Sequence, residues 1–188
     1  MKKTSNKKAI IDVCMVGILI ALGVVLSAFL QIPLFGDIRA DLSYVVIIYA
    51  CYAYGSLKGG FVAMTIAMME STLFTSYGFS ISWAVANLVL GLLIGLSFEL
   101  TKNLKAKRYV YYVINISVIV CAVAIGMLGF KTMIECLLYS IPFEVKIVKN
   151  LVAFALDCTV SLIGFCIVLP KIIKDKKNQD VVEKETEQ

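Results

Sequence analysis

Histidine is absent from the 188 residues. That removes Ser-His and Cys-His nucleophilic pairs, the H-E-x-x-H zinc site and any imidazole proton relay. Charge is sparse: Asp, Glu, Lys and Arg make up 16% of the chain, where a soluble domain carries about a quarter. The cysteines at 14, 51, 121, 136, 158 and 166 contain no C-x-x-C pair, and most sit inside apolar runs. They read as small buried hydrophobes, with disulfides or a metal site disfavoured. No Walker A motif, no G-x-S-x-G and no cluster of metal ligands occurs, so nothing supports an ATPase, a hydrolase or a metalloenzyme. No cofactor and no metal is expected.

What fills the chain instead is apolar. Hydrophobic residues make up 60%, and the mean hydropathy is +0.90. Uncharged runs cover 13–36, 42–57, 71–100 apart from Glu99, and 109–130. Crossing about 30 Å of hydrocarbon takes about 20 apolar residues per helix. These runs are apolar on every side, unlike the alternating strands of a membrane barrel. The expected fold is an all-α membrane protein with six transmembrane helices in a compact bundle.

In chain order, residues 1–8 form a basic tail and 9–30 a first span. The span is too long for a signal-peptide core and lacks a good cleavage site, so it is read as retained. A loop at 31–37 follows, then spans at 40–54 and 59–75 joined by the tight turn Lys58-Gly59-Gly60. Further spans are expected at 81–101, 109–130 and 147–173, with a basic loop at 102–108 and a mixed connector at 131–146. The six-helix domain is thus 9–173, and 174–188 is a charged tail expected to be disordered. Of the eighteen Lys and Arg residues, fourteen fall on the side of the N-terminus; only Arg39, Lys131, Lys146 and Lys149 fall on the other. The positive-inside rule then makes both termini cytoplasmic. It also accounts for the net charge of +5 without nucleic acid.

Polar residues at membrane depth carry the functional signal, each with two readings. Glu70 lies inside the third span, where a carboxylate costs about 2.5–3.5 kcal/mol on insertion scales. It is either a substrate or ion contact or a structural hydrogen bond. Trp83 and Asn87 lie one turn apart on the fourth span. They suit a planar polar ligand, or Trp83 is an interfacial anchor and Asn87 bonds a neighbouring span. Lys146, Lys149, Asn150 and Asp157 mark the start of the sixth span. The lysines line a pocket or snorkel to the surface, and Asp157 lies too deep to snorkel. In the first loop Phe35, Arg39 and Asp41 join an aromatic to opposite charges, as a lid or as a weak surface pair; Lys131, Glu135, Tyr139 and Glu144 in the last outer loop invite the same two readings.

Small residues recur four apart: Gly17 and Ala21 on the first span, Gly59, Ala63, Ala67 and Ser71 on the third, Gly91 and Gly95 on the fourth. Such ridges let helices approach closely in lipid. They serve packing within the chain, or they face a partner. Glu70 is about 100° from the ridge position, so an outward ridge turns Glu70 inward.

The order of these features resembles a known family. An I-P-L loop closes the first span. Asp37-Ile-Arg-Ala-Asp-Leu-Ser-Tyr then leads to Tyr54-Gly55-Ser-Leu-Lys-Gly59-Gly60. Phe79-Ser-Ile-Ser-Trp83 and Gly91-Leu-Leu-Ile-Gly95 follow. Together they are similar to the substrate-binding S components of energy-coupling factor (ECF) vitamin transporters. Three features depart from the family pattern. The G-P-x-x-G turn appears as Gly55-Ser-Leu-Lys-Gly59, the third-span acid is Glu70 where Asp is usual, and Ala-x-x-x-Ala appears as Gly17-x-x-x-Ala21. The resemblance implies capture of a vitamin from outside a bacterial plasma membrane, in a pocket of the first loop and the outer parts of spans four to six. It implies docking through spans one to three onto a transmembrane coupling protein driven by two cytosolic ATPase subunits. Within the family the sequence is closest in style to the riboflavin and folate groups. The rival reading is an autonomous proton-coupled secondary transporter using Glu70 or Asp157. A membrane-embedded enzyme would need a nucleophile or metal cluster that the sequence does not offer.

Overall fold

The computed structural model describes the backbone of residues 2–29, 32–35, 38–74, 78–102 and 108–186, and the side chains of 10–29, 41–74, 78–102 and 109–172. Helix α1 spans Lys2–Phe29. A short antiparallel hairpin follows, β1 Ile32–Phe35 and β2 Ile38–Ala40, with Pro33 opposite Arg39. Then come α2 Ser43–Phe74, α3 Ile81–Lys102, α4 Arg108–Ala124, a π-helical segment Ile125–Lys131, α5 Thr132–Tyr139 and α6 Phe143–Thr186. Five helical stretches are long and apolar enough to cross a membrane: Ile10–Phe29, Ser43–Phe74, Ile81–Lys102, Tyr109–Tyr139 and Phe143–Ile172. A helix pairs its backbone groups locally, which hydrocarbon demands.

Helix α2 is folded in two. Gly55 has φ 80° and ψ −172°, a conformation that only glycine adopts without strain. Beyond it the chain doubles back: a Cβ on Gly59 would lie 2.7 Å from the Cα of Cys51. In an unbroken helix, residues eight apart are about 12 Å apart. The turn therefore sits at Gly55, and Lys58, Gly59 and Gly60 belong to the second arm; the expected turn at 58–60 is corrected. Glu99 at the end of α3 caps the new arm, accepting a hydrogen bond from Ser56 N at 2.7 Å and from the Ser56 hydroxyl at 3.2 Å. With Ser56 where the family pattern has proline, a carboxylate from another helix satisfies the amide that a proline would lack.

The arms pack on α3 through glycine. A Cβ on Gly91 would meet Gly60 Cα at 2.8 Å and Gly59 O at 3.0 Å, and one on Gly95 would strike the Ser56 backbone. Without a hydrophobic drive between helices in lipid, such close backbone contact is a main source of attraction. Gly59, Ala63 and Ala67 are all buried inside the bundle. Their assignment to a partner-docking face is thereby corrected: that ridge is spent on the chain's own packing. Gly17 and Ala21 on α1 remain exposed, and a Cβ on Gly17 would meet nothing within 4 Å.

Ile47, Ile48, Ile66, Leu90, Ile94, Ile119 and Met127 form the centre of the core. Phe98 packs edge-on to Tyr52 and stacks on Phe165. Helices α3 and α4 are also pinned by a buried polar clamp, in which Asn115 Nδ2 donates to Thr101 Oγ1 at 3.2 Å and Ser97 Oγ donates to Asn115 Oδ1 at 3.2 Å.

The stretch after α4 differs from expectation. Residues 131–139 were expected in a connector, but the π-helical segment carries the helix on to Tyr139, and the break comes at Ser140, which has φ 51°. Thr132 Oγ1 donates to Met127 O at 3.1 Å, the five-residue spacing of a π turn. At the other end, α6 continues through Thr186 across the tail expected to be disordered; neither glycine nor proline follows Pro170 to stop it.

Candidate functional site

Glu70, Trp83, Lys131 and Asp157 come from four different helical stretches and meet in one cluster. Glu70 and Asp157 lie at equal depth. Each is fourteen residues, about 21 Å, along its helix from the Gly55 end, where Ser56 and Lys171 stand. A bilayer core of about 30 Å puts them roughly two-thirds of the way across.

Trp83 stands near the start of α3. Its indole N–H donates to Glu70 Oε2 at 3.1 Å. Lys131 Nζ lies 4.3 Å from the centroid of the same ring, within cation–π range. The π-helical segment positions Lys131 here. A Cβ on Gly126 would stand 2.9 Å from Ala86 O, so that segment lies directly against α3. Asn87, one turn on from Trp83, donates to the Trp83 carbonyl at 3.0 Å. The mid-span amide thus braces the turn that carries the indole.

Asp41 is buried, although it precedes α2. One oxygen accepts from Ser27 Oγ and from Ser43 N, both at 2.8 Å, and the other from Ser43 Oγ at 2.5 Å. It caps α2 and ties α2 to α1. It also faces Glu70, so two carboxylates stand together beside the indole. The reading of Asp41 as half of an exposed ion pair with Arg39 is corrected by this burial and these partners.

Tyr44, one turn into the cluster from Asp41, turns its hydroxyl toward Asp157. The geometry nonetheless leaves Tyr44 Oη and Asp157 Oδ2 without a hydrogen bond. Ser161 Oγ, one turn along α6 from Asp157, is buried and also unpartnered. Leaving such an atom unpaired costs about 1–3 kcal/mol, so three on adjacent helix faces mark a place prepared for something polar.

At the far side of the cluster, Lys146 pairs with Glu135 at 3.3 Å and lies 5.8 Å from the Tyr139 ring centroid. Asn150 Nδ2 donates to Thr132 Oγ1 at 2.9 Å and to Glu135 Oε2 at 3.3 Å. Lys146 is therefore held inside the α5–α6 junction, which answers the snorkelling alternative against it. Lys149 is exposed. Phe35 and Arg39 lie on β1 and β2, but their side chains fall outside the described residues.

Sequence reasoning left out Tyr44 and Ser161, and took Lys131 and Glu135 only as outer-loop residues, part of a lid or a surface pair. Lys131 and Glu135 are four apart, the spacing of one helical face, and that was the available signal. Tyr44 and Ser161 sit in apolar runs and carry no charge to draw notice.

The arrangement offers hydrogen-bond acceptors and donors around an aromatic plane, with no nucleophile–base pair. Among the described residues no group of His, Cys, Asp or Glu could hold a metal ion. A family model described as ECF-type riboflavin transporter, S component, matches residues 7–174. The fold is similar to the 2.1 Å crystal structure of the S-component for biotin from an ECF-type ABC transporter, with a TM-score of 0.65 and 16% identity over 89% of this chain and 92% of that one. No curated protein matches. The family match covers nearly the whole bundle, so this multi-pass membrane protein belongs to the ECF-type riboflavin transporter S-component family: it is the substrate-binding subunit of a vitamin transporter and not an enzyme.

Proposed function

We propose that the ligand is riboflavin or a close flavin analogue, bound from outside in the cluster around Trp83. The unpaired Tyr44 Oη, Asp157 Oδ2 and Ser161 Oγ carry this reading. Buried polar atoms in a finished core have partners; Ser161 Oγ and the imperfectly aligned Tyr44–Asp157 pair can take the hydroxyl or imide groups of a ligand. Four carboxylates (Asp41, Glu70, Glu135, Asp157) stand against two lysines (Lys131, Lys146). That balance favours a neutral, hydroxyl-rich ligand over an anionic one, and so a flavin over a folate. The Trp83 face suits the planar ring. Asn87 and Asn150 hold the surrounding turns, and the hairpin with Phe35 and Arg39, together with Lys149, closes the outer end as a lid.

Counting the two arms of α2 separately makes six spans, which puts both termini on one side. The lysine-rich ends then place them in the cytoplasm, with the Gly55 turn inside and the Trp83 cluster toward the outside. The exposed Gly17–Ala21 face of α1 meets a transmembrane coupling protein, with two cytosolic ATPases completing the transporter. The family match supports such a module. The proton-coupled alternative loses its motive, since an S component draws energy from that module.

The test is the ligand that accompanies the protein. Mild extraction and purification yield a chain carrying riboflavin, identified by mass spectrometry after denaturation. A chain that carries no flavin, and binds none from a vitamin panel, contradicts the proposal.

A further inference from the structure

A cavity of about 620 Å³ opens at the Gly55 end, remote from the Trp83 cluster. Its volume is in the range of small-molecule sites. Its exposed rim carries Lys58, Lys102 and Lys171, and its buried back wall is Cys51, Phe98 and Ile172. Two carboxylates also line it, and both are engaged. Asp12 pairs with Lys58 at 2.5 Å. Glu99 accepts from the Ser56 amide and hydroxyl. Lys171 Nζ donates only to a neutral phenol, Tyr49 Oη, at 2.7 Å. Lys102 has no ion-pair partner among the described residues. Three lysines thus stand against two carboxylates, so the cavity keeps a net positive charge above an apolar wall, with Lys102 and Lys171 its two ammonium groups not held in an ion pair among the described residues.

We propose that this cavity binds a phosphate-bearing anion, supplied by the headgroup of an anionic phospholipid. Lys102 and Lys171 hold the phosphate, and the upper part of the acyl chains lies against Phe98 and Ile172. A basic pocket between helix ends at the cytoplasmic surface suits anionic headgroups, whereas a soluble phosphate compound would make no use of the apolar wall. The assignment to the cytoplasmic leaflet rests on the orientation given above; the charge and shape of the cavity do not. Bound there, the lipid bridges α3 and α6 beside the α2 turn and stiffens the inner end.

The full chain in detergent micelles is titrated with phosphatidylglycerol or phosphatidylcholine of the same acyl chains, and the adducts are measured by native mass spectrometry. Phosphatidylglycerol is expected to bind more tightly, and Lys102→Gln and Lys171→Gln each to reduce that preference by about fivefold. An unchanged thermal midpoint and flavin affinity in the variants shows that they still fold. Competition by millimolar glycerol 3-phosphate identifies the phosphate group alone as what is recognised; no competition identifies the intact lipid. Equal affinity for the two lipids, or no change in either variant, overturns the proposal. Orientation is read separately, by trypsin added to intact spheroplasts. Cleavage of the lysine-rich C-terminal tail there overturns the cytoplasmic assignment and leaves the lipid preference standing.

Discussion

The Trp83 indole donates to Glu70 Oε2 at 3.1 Å, with Lys131 4.3 Å from the centre of the same ring. One carboxylate and one ammonium thus fix the plane of the indole. Glu70→Ala frees the indole to rotate and leaves its N–H unpaired. A hydrogen bond is worth about 0.5–1.5 kcal/mol. Riboflavin affinity should therefore fall about 2- to 13-fold, measured by calorimetric titration.

Tyr44 separates a ligand role from a structural one. Its hydroxyl is buried and faces the Asp157 carboxyl without a well-aligned hydrogen bond. Tyr44→Phe should leave the thermal midpoint of the ligand-free protein unchanged or slightly raised, because an unpaired buried polar atom is removed. Riboflavin affinity should fall by about 5- to 10-fold, the worth of one hydrogen bond. A lowered midpoint with unchanged affinity would make Tyr44 purely structural.

Gly95 and Gly17 predict opposite outcomes for the same substitution. A Cβ at Gly95 strikes the Ser56 backbone, while one at Gly17 meets nothing within 4 Å. Gly95→Ala should destabilise the chain by about 1–3 kcal/mol, the cost of forced backbone shifts. Gly17→Ala should be neutral or slightly stabilising. Thermal unfolding in detergent reads both.

The exposed α1 face tests the coupling assignment. Gly17→Leu introduces bulk where the chain itself has space. Stability and riboflavin binding of the isolated subunit should be retained. Copurification with the coupling module should drop steeply, because a small-residue face no longer permits close helix contact. Full recovery of the complex would remove Gly17 from the interface.

The membrane character, the helical class and most span limits were legible, because hydrocarbon imposes length and composition directly on sequence. The hairpin between 40 and 75 was legible as a whole, yet its turn was misplaced. Lys58-Gly59-Gly60 looked like punctuation, but Gly59 and Gly60 are small so that α3 can approach, and Gly55 alone has the turn conformation. Spacing shows that a ridge exists and not which neighbour it meets. That is why Ala63 and Ala67 were read as facing outward. The inward direction of Glu70 was inferred from that reading; its burial rests instead on Trp83 and Asp41. Lys131 was legible only as an outer-loop charge and not as a partner of Trp83. A charge ending an apolar run marks a loop by default, and the π-helical segment that turns it inward leaves no composition signal. Asp41 looked like surface charge because its partners, Ser27 and Ser43, come from a different helix and from a cap.

Trp83 is the only tryptophan in the chain, so intrinsic fluorescence reports on the site itself. Titration of the purified, ligand-free protein with riboflavin should quench that fluorescence saturably at one flavin per chain, in the absence of ATP. Riboflavin that leaves the fluorescence unchanged beyond simple inner-filter loss, at concentrations that saturate the protein by an independent assay, would place the ligand elsewhere and contradict the assignment of the Trp83 cluster.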